Sequence, residues 1–170
     1  MDIKLRLFRE DDFEACHAMI SNYDVVKMTA TWPYPADLDF TRMRMNSDEV
    51  KSGLVNVIDV DGEFAGTIGA GTIGNVNGGR GYMLSPAFWG KGVMTRAVDL
   101  KLMQVFANAD VADLGACVWH DNPASSRVLE KVGFRLAYEC AEFCKARNEK
   151  LSAFHYKLSR EDWEARVGGL

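Results

Sequence analysis

Trp89-Gly90-Lys91-Gly92 stands directly before a stretch with helical periodicity, an order of residue types that suits anion binding. A helix N-terminus presents unpaired N–H groups and the positive end of the dipole, and glycines let a phosphate approach that backbone without a side chain in the way. Lys91 adds a point charge, and the missing GK[ST] ending excludes a Walker loop. A purely steric role for glycines at a strand-to-helix turn is the alternative. A literal GxGxxG occurs at Gly69, Gly71 and Gly74, but a dinucleotide fingerprint needs a helix opening at the third glycine and an acidic residue about 20 positions on. Turn-forming residues follow instead and position 94 is Met94, so the stretch reads as a glycine-softened strand with a bulge or a close neighbour.

A second group lies further on. Asn122 is a good N-cap, Pro123 suits the first helical position, and Gly133 fits the left-handed residue past the helix end. On that helix Ser125, Val128, Leu129 and Val132 share one face. A hydroxyl on an apolar stripe needs a partner, and a bond back to the capping region is one reading of it.

These residues need elements to position them. Alternation over Lys4–Phe8 predicts a strand, and the spacing of Phe13, His17 and Ile20 predicts a helix over Asp11–Ile20. Two prolines make Thr31–Asp37 an exposed loop, its aromatics either lining a substrate entrance or packed. Strands are expected over Leu54–Val60 and Glu63–Gly74, joined by an Asp61-Gly62 hairpin turn, with another at about Arg80–Leu84. From Val93 the period becomes helical, with Met94, Val98, Leu102, Val105 and Phe106 on one stripe. Strand, helix, strand from residue 80 to 119, ending in a strand over Leu114–Trp119, suggests a parallel crossover. Phe134–Cys144 and Lys150–Leu158 read as a closing antiparallel pair.

The 170 residues suit one domain, 1–170, and 48% hydrophobic with 26% charged residues is the mix of an ordinary globular protein. No apolar run reaches membrane-spanning length, and the charged start MDIKLRLFREDD is unlike a secretory signal, so a cytoplasmic location is expected. A formal net charge of −4 argues against a nucleic-acid binder held by bulk electrostatics. Cys16, Cys117, Cys140 and Cys144 have no zinc-finger spacing and read as buried or half-buried thiols, with no metal expected.

GYMLSPAFWGKGVMTRAV followed by NPASSRVLEKVGF resembles the GNAT superfamily of acetyl-CoA-dependent N-acetyltransferases, and most of all its Rim-type branch, which acetylates ribosomal-protein N-termini. The likeness extends from LRLFREDD through DGEFAGTIG to VLEKVGF. It implies an α/β (mixed α+β) fold: a central mixed, mostly antiparallel sheet of about six to seven strands flanked by helices, with parallel strands splayed at the cofactor cleft. It implies that Trp89, Gly90, Lys91, Gly92, Val93, Met94 and Thr95 bind the coenzyme A pyrophosphate. Met83 and Leu84 would offer main-chain groups to the pantetheine arm, Asn122 would hydrogen-bond that arm, and Ser125 would contact the coenzyme thiol. Leu129 stands where many relatives have a tyrosine acid, which makes Ser125 the candidate for protonating the leaving thiolate. The glutamate base common in the Rim branch is replaced by Gly79, with Arg80 beside it, and His120 is the nearest titratable substitute.

The implied activity is acetyl transfer from acetyl-CoA to a primary amine, a protein N-terminus among the acceptors, by direct attack in a ternary complex. A non-catalytic acyl-CoA-binding module is the competing class, and a nucleotide-binding regulator using Gly69–Gly74 a third. Neither nucleic acid nor membrane is an expected partner, and both monomer and homodimer remain open.

Overall fold

The computed structural model describes residues 1–70 and 81–169. Its elements run β1 (Ile3–Arg6), α1 (Phe13–Ile20), α2 (Tyr23–Val26), α3 (Leu38–Met45), α4 (Asp48–Lys51), β2 (Val55–Val60), β3 (Glu63–Gly69), β4 (Tyr82–Leu84), α5 (Val93–Phe106), β5 (Asp113–Trp119), α6 (Pro123–Lys131), β6 (Arg135–Cys144), β7 (Glu149–Ser159) and α7 (Arg160–Gly168). Short 3₁₀ turns cover Glu10–Asp12 and Pro86–Phe88. Gly71, Gly74, Gly79 and Arg80, and the expected extension of β3 to Gly74, lie outside the described residues. No helix is long and apolar enough to cross a membrane among the described residues.

Asp61 and Gly62 both take positive φ, 53° and 93°, the left-handed pair that a tight two-residue hairpin needs, and they join β2 to β3 as expected. Among the described residues seven strands form two antiparallel sheets, ordered β1-β2-β3-β4 and β5-β7-β6. Every pairing in them is antiparallel. β4 and β5, the two strands expected to splay, fall in different sheets, so the crossover through α5 links one sheet to the other.

The helix periodicity explains how the sheets hold together. α5 buries Met94, Val98, Leu102 and Phe106 on its expected stripe, against Ile58, Ile68 and Leu84 of the first sheet and Val118, Tyr156 and Leu158 of the second. Leu129 and Val132 of α6 complete this core. Each such fully buried side chain contributes about 1.5–3 kcal/mol. Lys101 interrupts the stripe: its buried Nζ donates to Asn56 Oδ1 (2.6 Å) and to the Gly53 carbonyl (3.1 Å), tying α5 to β2. Burial pulls its ammonium down to about 8.

A smaller core packs α1, α2 and Trp32 against Met83, on the opposite side of β4 from Leu84. In the Thr31–Asp37 loop Trp32 is buried edge-on to Phe40, whereas Tyr34 stays exposed beside Tyr23 (ring centroids 4.9 Å apart). Beneath the first sheet Arg6 spans two buried carboxylates. Its Nε donates to Asp59 (2.7 Å) and its terminal nitrogens to both Asp12 oxygens (2.7 and 2.8 Å).

α7 has no counterpart in the sequence reading. Ser159 caps it by accepting from the Asp162 amide (3.1 Å), Trp163 stacks on Phe106 at 4.8 Å, and Arg166 pairs with Asp99 at 2.6 Å. The cysteines also differ in part from expectation. Cys16 and Cys144 are buried and Cys140 is intermediate, but Cys117 is exposed, because strand alternation turns it away from the core that receives Val118.

Candidate active site

The register of β3 with β4 decides which main-chain groups face the gap between the sheets. Gly69 N–H donates to Gly81 O (3.0 Å) and Ser85 N–H to Ala65 O (2.8 Å), which makes 81/69, 83/67 and 85/65 the bonded pairs of the antiparallel ladder. Met83 therefore spends its amide and carbonyl on Thr67, and its side chain is buried against α1 and α2. Tyr82 and Leu84 turn their main-chain groups the other way, out of the sheet. Of the two residues expected to pair with the pantetheine arm, only Leu84 faces outward. Its carbonyl accepts from Trp89 Nε1 (2.8 Å), so the tryptophan braces the glycine turn against β4.

The turn itself has the geometry of an anion cradle. Gly90 and Gly92 have φ of 71° and 76°, a conformation that side-chain-bearing residues seldom adopt, and no atom lies within 4 Å of where a Cβ would stand on either. Gly92 is the N-cap of α5 and offers no side-chain cap; the first intrahelical bond runs from Arg96 N–H to Gly92 O (3.2 Å). The amides of Val93, Met94 and Thr95 consequently have no partner within the helix. Val93 and Met94 bury their side chains in the core, so neither fills the turn. Lys91 is exposed, its Nζ 5.9 Å from the Phe88 ring centroid. Three amides without a partner inside the helix and two bare Cα positions fit a pyrophosphate: the backbone would hold it, and Lys91 would add charge.

On α6, Asn122 Oδ1 accepts from Ser125 N–H (3.2 Å), a working N-cap. Ser125 does not return its hydroxyl to the capping region. Its Oγ lies 2.6 Å from Tyr82 Oη, which also reaches the Ser125 carbonyl at 3.4 Å, so the contact crosses from α6 to β4. Burial raises the Tyr82 phenol to about 12, with the Ser125 contact acting in the opposite sense. The sequence reading passed over Tyr82; the one signal for it was alternation in Gly81-Tyr82-Met83-Leu84, which sets Tyr82 on the same side as Leu84. An apolar cavity of about 50 Å³ lies between the sheets, lined by Tyr82, Leu102, Ala116 and Leu129 among others.

His120 follows β5 and looks elsewhere. Its ring stacks on Phe154 (centroids 4.0 Å apart, planes 16° apart), with Nε2 4.0 Å from Glu139. Among the described residues no hydrogen bond joins it to Ser125, so the two candidate catalytic side chains have separate surroundings. Next to it, Asp121 receives two bonds from Arg147 (2.6 and 3.2 Å), whose Nε also donates to Lys27 O (2.8 Å). The guanidinium holds the Asp121 carboxyl below its ordinary value and links the β6–β7 turn, the end of α2 and the start of α6. No three His, Cys, Asp or Glu side chains converge as a metal site among the described residues.

Comparisons agree with this geometry. A family model described as the acetyltransferase (GNAT) domain matches residues 2–135. The spermidine N(1)-acetyltransferase of Escherichia coli K12 is 26% identical over 139 residues, covering 81% of this chain and 75% of its own. A GNAT-family acetyltransferase from Bacillus anthracis superposes with TM-score 0.78 at 23% identity, over 95% of this chain and 96% of its own. Mycobacterium smegmatis RimJ, solved with a coenzyme A disulfide, gives 0.75 at 21% identity over 98% and 89%, so it shares the fold. With two splayed sheets, an open glycine turn and a family match over most of its length, the chain belongs to the GNAT superfamily and is an acetyl-CoA-dependent acetyltransferase.

Proposed function

We propose that the protein acetylates a primary amine, either a protein N-terminal α-amine or a small amine, by direct attack on the thioester in a ternary complex. The observation that carries this reading is the Ser125 hydroxyl, held at the gap between β4 and α6 by Tyr82 rather than by its own helix. Acetyl-CoA supplies the activated acyl group. The turn from Gly90 to Thr95 binds its phosphates, Leu84 N–H faces outward where it can polarise the carbonyl, and Ser125 serves the departing thiolate.

Position 79 carries glycine in place of a glutamate base, which favours a weakly basic acceptor. Neutralising lysine near pH 7 costs roughly 3–4 kcal/mol more than neutralising an α-amine. The spermidine N(1)-acetyltransferase relative supports a polyamine as the small-amine alternative, against that preference, because polyamine primary amines are as basic as lysine's. His120 stays the candidate base because Asp121, the other titratable group beside Asn122, is taken up by Arg147, although the His120 ring itself is stacked on Phe154.

Purified protein given acetyl-CoA and a panel of amines (an N-terminal peptide, spermidine, an aminoglycoside, a free amino acid) should release thiol fastest with the peptide or the polyamine. Acetyl-CoA should raise the melting temperature, while ATP and NAD should not. Protection without thiol release from any amine would favour the acyl-CoA-binding module instead; equal protection by NAD would remove the reading of the glycine turn. With the best amine, Ser125→Ala should lower kcat by about 10- to 100-fold and leave acetyl-CoA affinity nearly unchanged, since the lost contact matters mainly in the transition state. Stability should fall by about 1–3 kcal/mol at the same time, because the Tyr82 phenol loses its partner. Unchanged kcat in a destabilised Ser125→Ala protein would remove the serine from the mechanism.

A further inference from the structure

Ser125 and Tyr82 are 43 residues apart in sequence and belong to different halves of the molecule, α6 and β4. Serines in a helix or at its end commonly donate back to a carbonyl one turn earlier, as Ser21, just past α1, does here to His17 O at 2.7 Å. Ser125 makes no such bond among the described residues, and its hydroxyl oxygen instead meets the phenol at 2.6 Å. Either hydroxyl can donate across this contact; the phenol, the stronger acid, is the better donor, with Ser125 Oγ then the acceptor. The second approach of Tyr82 Oη, 3.4 Å from the Ser125 carbonyl, places the same phenol proton among acceptors on Ser125 alone. Tyr82 cannot swing freely to find others: its ring packs against the main core and lines the cavity between the sheets.

A serine hydroxyl has one proton to give and two lone pairs to accept with. With Tyr82 as donor, one lone pair of Ser125 Oγ is taken and no carbonyl among the described residues claims the serine proton, which is then left for a ligand in the gap. We infer that Tyr82 is the positioning residue of Ser125, accepting no proton itself but fixing the serine rotamer so that the Ser125 O–H points at the coenzyme sulfur. This rests on the reading of Ser125 as the group that serves the thiolate. In the transfer the C–S bond of the thioester breaks as the C–N bond forms. The electron pair goes to sulfur, which takes the Ser125 proton, and the proton lost by the attacking nitrogen returns to the serine through solvent, so no net proton is consumed. Tyr82 keeps its own proton throughout, as a phenol held in an apolar wall should.

The same arrangement gives the phenol a second consequence. The bond bridges β4 to α6 across the gap between the sheets, so the group that orients the proton donor also sets how far the donor stands from β4, where Leu84 N–H faces out. Distance and direction are then controlled by one contact.

The test is a double-mutant cycle on kcat with Tyr82→Phe, Ser125→Ala and the pair, with acetyl-CoA affinity and melting temperature measured on the same preparations. Tyr82→Phe keeps the ring and its packing and removes only the hydroxyl. Expected are a fall of about 10- to 100-fold in kcat, little change in the KM for acetyl-CoA, and no further fall when Tyr82→Phe is added to Ser125→Ala. Ser125→Thr, which retains a hydroxyl, should keep part of the turnover as long as Tyr82 is present and lose it with Tyr82→Phe. Slow hydrolysis of acetyl-CoA without amine, which also needs the thiolate to leave, should show the same pattern and keeps the test independent of the acceptor.

A merely structural phenol would lower the melting temperature and leave kcat alone; that result, or equal effects of Tyr82→Phe with and without Ser125, would overturn the inference. If Ser125→Ala itself leaves kcat unchanged, the reading of the serine has failed. If Ser125→Ala loses turnover and Tyr82→Phe does not, the serine stands and Tyr82 is no part of its action.

Discussion

Gly92→Asp is expected to give a folded protein that no longer binds acetyl-CoA at any useful concentration, with affinity reduced at least about 100-fold. The substitution tests the cradle and spares the fold for definite reasons. Nothing lies within 4 Å of a Cβ at this position, so the new side chain meets open space. The positive φ of 76° costs a non-glycine residue about 1–2 kcal/mol, and aspartate tolerates that region better than most. A carboxylate at an N-cap also suits the helix, where it can accept from the free amides of the first turn. That is why it should abolish binding: the protein would carry its own anion in the site meant for the coenzyme's, and would repel the phosphates besides. Lys91→Ala should weaken binding only several-fold, because the backbone amides provide most of the site. Thermal shift and calorimetric titration with acetyl-CoA measure both. A Gly92→Asp protein with native affinity would show that the phosphates bind elsewhere; a Lys91→Ala protein as impaired as Gly92→Asp would show that the cradle is mainly a lysine site.

Arg6→Met should cost about 3–5 kcal/mol of stability, the usual penalty for removing one member of a buried ionic cluster. In a domain of this size the melting temperature should fall by about 6–20 °C. Asp12 and Asp59 are 4% and 7% exposed, and the guanidinium is shared between them. Burial pushes both carboxyls up. The bonds from Arg6, together with the Arg9 amide on Asp12 and the Gly62 amide on Asp59, outweigh it and hold both below the ordinary carboxylate value. Groups with depressed folded values contribute stability that is fully present above the unfolded value near 4 and is lost as pH falls through the folded values. The gap between wild type and Arg6→Met should therefore be widest at neutral pH and narrow below about pH 4. Urea unfolding at pH 7 and pH 3 reads this directly, and a gap under 1 kcal/mol at pH 7 would show that the cluster is solvated.

The legible parts of this protein were the ones with local signals. α5 and α6 carried both a 3.6-residue period and end markers, Gly92 before the first, Asn122 and Gly133 around the second, and their bounds agree with expectation to within a residue or two. The β2–β3 hairpin was announced by Asp61-Gly62. Pairing across long separations was not legible: Arg6 with Asp59, Tyr82 with Ser125, and the division of seven strands into two sheets all depend on register, which no local pattern encodes. α7 was missed although Ser159 and Asp162 formed a readable cap, because Trp163 is nearly alone as an apolar anchor in a polar segment. For the candidate site, the glycine turn was legible as glycines before a helix and Ser125 as a hydroxyl on an apolar stripe, its role drawn from the family resemblance, whereas the outward aim of Leu84 and the inward commitment of Met83 came only with the β3–β4 ladder.

The division into two sheets also bears on how such a protein changes over time. A hydrogen-bonded ladder holds neighbouring strands at about 4.8 Å whatever their side chains, but a seam between two sheets is as wide as the residues that fill it. Here Leu84, Val118 and Leu129 stand in the core between β4 and β5, with Tyr82 and Ala116 beside them. Tyr82, Ala116 and Leu129 also line the cavity there, so exchanging one of them for a smaller or larger neighbour alters its bore and unpairs no strand. The strand ladders and the width of the cleft are thus set by different residues, so the cleft can change by single substitutions that cost packing energy but leave the strand pairing in place.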